Sequence, residues 1–139
     1  MKINKIARNV LAVIIGIVLG SVMNMGIINL QDFFIPIPEG VDVTNTESLQ
    51  SSMHLFEPKH FIFPFFAHAI GTLVGAYLAA RIAASHKMHF ALGIGIFFLI
   101  GGISMAFMMP APIWFIVVDL SLAYIPMGWL GWRLSGKKQ

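Results

Sequence analysis

The chain has no cysteine and very little charge. Without thiols it cannot form disulfides, zinc–thiolate centres, iron–sulfur clusters or a cysteine nucleophile. Charged residues make up 11% of its 139 positions, against 58% apolar. An average soluble domain carries about a quarter charged residues and about half apolar ones. With a mean hydropathy of +0.83, the composition argues against a water-soluble globule. Six acidic residues stand against nine Lys and Arg, a net charge of +3. In a soluble protein that excess would suggest nucleic acid. Here the basic residues act as topology signals, and no nucleic-acid partner is expected.

What remains is apolar and periodic. A transmembrane helix needs about 20 mostly apolar residues to cross a core about 30 Å thick. Four stretches qualify: about 10–28, 61–80 (carrying His68), 90–109, and 113–132 (carrying Asp119). The chain is too short for a closed membrane barrel of the usual size. An all-α membrane protein of four helices, folded as a single domain over 1–139, is the expected architecture.

Charge sets the expected orientation. Lys2, Lys5 and Arg8 precede the first span, Arg81 and Lys87 join the second to the third, and Arg133, Lys137 and Lys138 follow the fourth. Only Lys59 falls on the other side. The positive-inside rule then puts both termini in the cytoplasm. The first span is longer than a signal-peptide core and ends in no small-x-small cleavage pattern, so an uncleaved anchor is expected.

The external loop, about 31–60, is the longest connection. Pro36-Ile37-Pro38-Glu39-Gly40 reads as an extended turn. Thr44-Asn45-Thr46-Glu47 has capping-box spacing, and Leu49, Met53 and Phe56 follow at helical intervals. This predicts a short amphipathic helix on the membrane surface or over the bundle mouth. The other connections are tight, which predicts an up-down-up-down bundle.

Helix association in lipid depends on close backbone approach at small residues. Ala12, Gly16 and Gly20 recur every fourth residue in the first span, and Ala67, Gly71, Gly75 and Ala79 do so in the second. Each set forms a flat seam, serving contacts within the chain or between protomers of a homo-oligomer or larger membrane complex. The inner ends of spans two and four also resemble each other, Ala76-Tyr77-Leu78-Ala79-Ala80-Arg81 against Gly128-Trp129-Leu130-Gly131-Trp132-Arg133. That likeness reads either as a repeated hairpin or as two ordinary inner boundaries.

Ionisable residues inside a membrane are costly and usually find partners in the bundle interior. Counting along the helices, His68 lies about 10 Å below the outer boundary and Asp119 about 9 Å. Asn24 and Ser104 fall near the same level, so every span supplies one polar residue to a layer. A His68–Asp119 contact is therefore expected. Such a layer serves either as a hydrogen-bond network fixing register or as a site binding a ligand or proton. No catalytic spacing supports an enzyme, and no cofactor is expected. Met23, Met25, Met105, Met108 and Met109 suit Cu(I) in ligand type, yet Met is also an ordinary core filler, and no metal site is assigned.

Three segments carry a resemblance: Pro36-Ile37-Pro38-Glu39-Gly40-Val41-Asp42, then Ala67-His68-Ala69-Ile70-Gly71-Thr72-Leu73-Val74-Gly75, then Pro110-Ala111-Pro112-Ile113-Trp114-Phe115. In their order the chain resembles a broad group of small four-span bacterial inner-membrane proteins without known activity. The resemblance implies four spans and an inner-membrane location, and no catalytic residue. Two functional expectations stand together. One is a non-enzymatic accessory or self-assembling scaffold built on the seams; the other is a small transporter or proton-linked carrier using the His–Asp pair.

Overall fold

The computed structural model describes residues 4–136. Lys2, Lys137 and Lys138 lie outside the described residues. Six α-helices are present: α1 Lys5–Phe34, α2 Thr46–Ser52, α3 Ile62–Ile82, α4 Lys87–Met108, α5 Ile113–Leu122 and α6 Ile125–Leu134. Among the described residues there is no strand. Four helical segments are long and apolar enough to cross a membrane: 5–34, 58–82, 87–108 and 113–134. The protein is an all-α, multi-pass, four-helix membrane bundle.

The central helix is α3. It packs along α1 on one side and against α4 and α6 on the other, whereas α1 and α4 meet only through side chains such as Ile94 and Phe98, which reach Gly16 and Gly20. The α1–α3 contact is where the seams are used. A β-carbon placed on Gly16 would stand 2.8 Å from the Gly75 carbonyl oxygen, and one on Gly20 2.8 Å from that of Gly71. Ala12, Ala67 and Ala79 are fully buried along the same line. Antiparallel backbones approach closely because nothing larger than a methyl group intervenes. Both seams are thus consumed within one chain.

A second pair of close approaches seats α6. Gly131 faces the backbone of Leu73 and Tyr77 on α3, and Gly128 faces Ala91 and Gly95 on α4. The ends of spans two and four that are alike in sequence therefore lie side by side.

Polar bonds tie the helix ends at the basic end, where Arg8, Arg81, Lys87 and Arg133 gather. The Arg8 Nε donates to the Ile82 carbonyl at 2.6 Å, and the Ala84 N–H donates to the Asn9 side chain at 2.7 Å. The Arg8 guanidinium meets an unpaired carbonyl and the partial negative charge at the C-terminus of α3, and the Asn9 side chain accepts from the chain just beyond it. Arg81 reaches the Ser135 carbonyl beyond α6 in the same way.

Several boundaries differ from those expected. α1 begins near Lys5 rather than Val10 and runs on through Gln31 and Asp32 to Phe34, so 31–34 belong to the helix and not to the loop. Its polar tip is held because Gln31 is buried and its amide donates to the His60 carbonyl. The loop helix α2 is capped by Asn45, not Thr44: the Asn45 side chain accepts from the N–H groups of Glu47 and Ser48. Thr44 instead donates its hydroxyl and its N–H to Asp42, and these bonds hold the Asp42 carboxyl below its ordinary value. Gly40, at φ +80°, closes the turn after Pro38, a backbone geometry that side-chain-bearing residues adopt with strain.

The fourth span is not one helix. α5 stops at Leu122, Ala123 and Tyr124 leave the helical path, and α6 restarts at Ile125. Pro126 accounts for the break, since it has no N–H to donate to the Leu122 carbonyl and its ring crowds the preceding turn. The interruption lies near the middle of the span.

Candidate functional site

Four elements converge around that break. His68 sits on α3, two turns below its start, and Asp119 on α5, two turns from its own start. The His68 Nδ1 and the Asp119 Oδ1 lie 2.8 Å apart. Tyr124, at the break itself, donates its hydroxyl to the Asp119 Oδ2 at 3.0 Å. Both carboxylate oxygens are thereby engaged, which is what a carboxyl group held in an apolar bundle requires. The Asp119 side chain is 6% exposed and that of His68 27%. The rings of His68 and Tyr124 stack with centroids 5.8 Å apart.

His68 faces a groove of about 340 Å³ between α1 and α4, with α3 as its floor. Asn24 and Ser21 contribute its polar wall from α1, Thr72 joins His68 from α3, and Tyr124 closes one side. Thr72 is one turn beyond His68 on the same helix face. It is 1% exposed, and its hydroxyl has no hydrogen-bond partner among the described residues. Buried hydroxyls are nearly always paired, and the Trp132 Nε1 is the other buried side-chain polar atom without a partner among the described residues.

Of the four residues expected to form the polar layer, the structure joins His68 and Asp119 directly and lines the same groove with Asn24. Ser104 does not join them. It is exposed on α4, and its hydroxyl turns back to the Ile100 carbonyl at 2.8 Å. A serine in a lipid-facing helix satisfies itself in this way without any interhelical partner. Depth alone could not distinguish the two orientations.

Tyr124 and Thr72 were not singled out from sequence. Tyr124 follows Asp119 by five residues, a spacing that puts the two on different faces of an unbroken helix. The break re-aims the ring, and Pro126 was the available signal. Gly102 makes room for it: a β-carbon there would collide with the Tyr124 hydroxyl and ring edge. Thr72 gave no signal, because a lone threonine in an apolar helix ordinarily bonds its own backbone.

Chemically, the cluster offers a titratable imidazole whose Nδ1 is fixed against a carboxylate. Its second nitrogen, Nε2, has no partner among the described residues. A neutral ring donating Nδ1–H to Asp119 presents a lone pair at Nε2; a protonated ring presents a donor there. Elsewhere, His86 and His89 pair edge to face at the basic end, both exposed. No protein-family model matches the chain, and neither a curated protein nor a solved structure matches it.

Proposed function

We propose that this membrane protein is a small, non-enzymatic, proton-linked carrier. In this reading the His68–Asp119–Tyr124 cluster holds the proton and the adjoining groove holds what moves with it. One observation carries the reading: the only interrupted span among the described residues breaks at Tyr124, where the ionisable cluster forms. Discontinuous helices at mid-membrane are a recurrent way of building transport sites, because freed backbone groups and polar side chains face a cavity there. Membrane-embedded ionisable residues in such places commonly relay protons.

The protein would sit in a bacterial inner membrane with both termini cytoplasmic. That orientation is supported by the gathering of Arg8, Arg81, Lys87 and Arg133 at one end, as the positive-inside rule requires.

The test uses purified protein in liposomes with a pH-sensitive dye inside. Organic acids, amino acids and sugars are added singly, and internal pH is followed. Solute-dependent proton movement should appear with the native protein and vanish in Asp119→Asn and His68→Gln at equal reconstitution. Identical traces from native protein, variants and protein-free liposomes would overturn the carrier reading.

The scaffold reading keeps the seams as contacts within one chain, where Gly16, Gly20, Gly71 and Gly75 face one another, and self-assembly would use another surface. It retains the lipid-facing sides of α1 and α4, where Gly26, Gly93 and Gly101 have no neighbours. Cross-linking between copies through those positions would favour it.

A further inference from the structure

We propose that the furrow between α1 and α4 binds an uncharged, ring-headed isoprenoid lipid of the quinone class. Its head would lie beside His68 and Thr72, and its tail would run along the lipid-exposed α1–α4 boundary, past the Phe98 ring that packs on Gly20, toward a second, separate apolar cavity. The inference rests on the carrier reading for the role of the groove, and the two fail separately in the experiment below.

The first argument is access. Ser21 and Met25 on α1 and Gly101 and Met105 on α4 line the groove and are exposed. Ser21, Met25 and Gly101 lie well inside their spans and Met105 about one turn from the end of α4, so the mouth opens sideways between α1 and α4. At that height the surroundings are hydrocarbon, and a ligand arriving there must itself dissolve in the bilayer.

The second argument is charge. No Lys or Arg lines the groove. Its one cationic candidate, His68, already faces the Asp119 carboxylate. An anionic head, whether phosphate or carboxylate, would find no free countercharge and would be expensive to bury. An uncharged head has no such cost.

The third argument is hydrogen bonding. The Thr72 hydroxyl is buried without a partner, and the His68 Nε2 likewise has none among the described residues. A carbonyl oxygen accepts from the Thr72 hydroxyl or from protonated His68. A phenolic hydroxyl donates to neutral Nε2 instead. The pair therefore accommodates both the quinone and the quinol. The Phe98 ring and the stacked His68–Tyr124 pair supply flat walls for a planar head.

The fourth argument is length. One turn further along both helices, a second cavity of about 380 Å³ lies on the same α1–α4 boundary. Val13, Ile17, Ile94 and Phe97 line it, with His89 at its far end. A compact polar solute has no use for that apolar space. A branched hydrocarbon tail does.

The probe is a two-isoprene ubiquinone, titrated calorimetrically into the full chain in lipid nanodiscs. Saturable binding at one per chain is expected. Thr72→Val keeps the shape of the side chain while removing the hydroxyl, and should weaken binding about fivefold to tenfold without lowering thermal stability. Gly101→Phe should abolish binding, because nothing lies within 4 Å of its β-carbon and the ring enters the groove mouth. Gly26→Phe, equally unhindered but outside the groove, should bind as the native protein does. Equal heats from native protein and Gly101→Phe, or saturable binding of oleic acid or dioleoylglycerol in place of the quinone, would overturn the proposal. Loss of proton movement in Asp119→Asn with no saturable quinone binding defeats this inference and spares the carrier. Saturable quinone binding with no proton movement does the reverse.

Discussion

Tyr124 occupies the space that a side chain at position 102 would need. Its Cε2 lies 2.9 Å from the point where a β-carbon on Gly102 would stand, and its Cζ and hydroxyl lie closer still. The same hydroxyl donates to Asp119. A glycine on α4 thus sets the position of a donor at the break in the fourth span. Neither residue reveals this alone, since one is merely small and the other merely aromatic.

Gly102→Ala should therefore act on the cluster rather than only on packing. The ring must move, and overpacking of a filled site costs about 1–3 kcal/mol. Thermal unfolding in detergent should show that loss for Gly102→Ala and almost none for Gly101→Ala, whose β-carbon meets no atom within 4 Å. Adding Tyr124→Phe to Gly102→Ala should then cost less than it does in the native protein. An unchanged cost would mean that the Tyr124–Asp119 bond survives the added methyl.

The α1–α3 seam gives a sharper contrast. A β-carbon on Gly75 would stand 2.5 Å from the Gly16 carbonyl oxygen, which is backbone and cannot step aside. Gly75→Leu should prevent folding or strip α1 from the bundle, read as loss of a monodisperse species in size-exclusion chromatography. Leu78→Ile, on a half-buried face away from the seam, should shift the unfolding midpoint only slightly, in line with an isomeric hydrophobic exchange of under about 1.5 kcal/mol. Similar behaviour of the two variants would remove the seam from the account of stability.

The legible parts of the structure are those set by local chemistry. Apolar runs define the spans because lipid leaves helices no alternative, and the four-residue spacing of Gly and Ala survives into the α1–α3 contact. Helix ends were harder. Gln31 and Asp32 interrupt the apolar run, yet the helix continues because His60, distant in sequence, receives the Gln31 amide. The candidate site was legible as depth and not as direction. His68 and Asp119 share a level and meet; Ser104 shares it and turns away. Tyr124 was hidden by the assumption of a continuous helix, and Thr72 because a lone threonine in an apolar helix carries no signal of its surroundings.

Orientation makes a prediction independent of the site. The described basic residues at the ends of the spans collect at one end, and Lys59 stands alone among them at the other, paired with Glu57 at 3.0 Å. An alkaline phosphatase fusion near Ser51 should be active, whereas a fusion after Gln139 should be active only with a cytoplasmic reporter such as a fluorescent protein. A phosphatase-active fusion after Gln139 would reverse the topology or change the number of spans.

The strongest prediction concerns His68 and Asp119 as a unit. Their side chains lie 2.8 Å apart, and among the described residues the Asp119 side chain has one other partner, Tyr124. Intramembrane hydrogen bonds average about 0.6 kcal/mol and reach about 1.7 kcal/mol in double-mutant cycles, because the unfolded helix also finds partners in the membrane. His68→Ala should exceed that range. It leaves a buried carboxylate with a single neutral donor, and the expected loss includes that group's desolvation. Asp119→Asn preserves shape and can still accept from Tyr124, so it should cost less. The double variant should be less destabilised than the sum of the singles by about 1–3 kcal/mol, the coupling of residues in direct contact. Asp119→Asn should also blunt the effect of His68→Ala specifically, while the effect of Ile94→Val, on α4 against the α1–α3 seam, stays unchanged in the native and Asp119→Asn backgrounds. Steric-trap or reversible detergent unfolding measures all six proteins on one scale. Strict additivity of His68→Ala and Asp119→Asn would mean that the two residues stabilise the bundle independently, and the cluster would then lose its claim to act as one group.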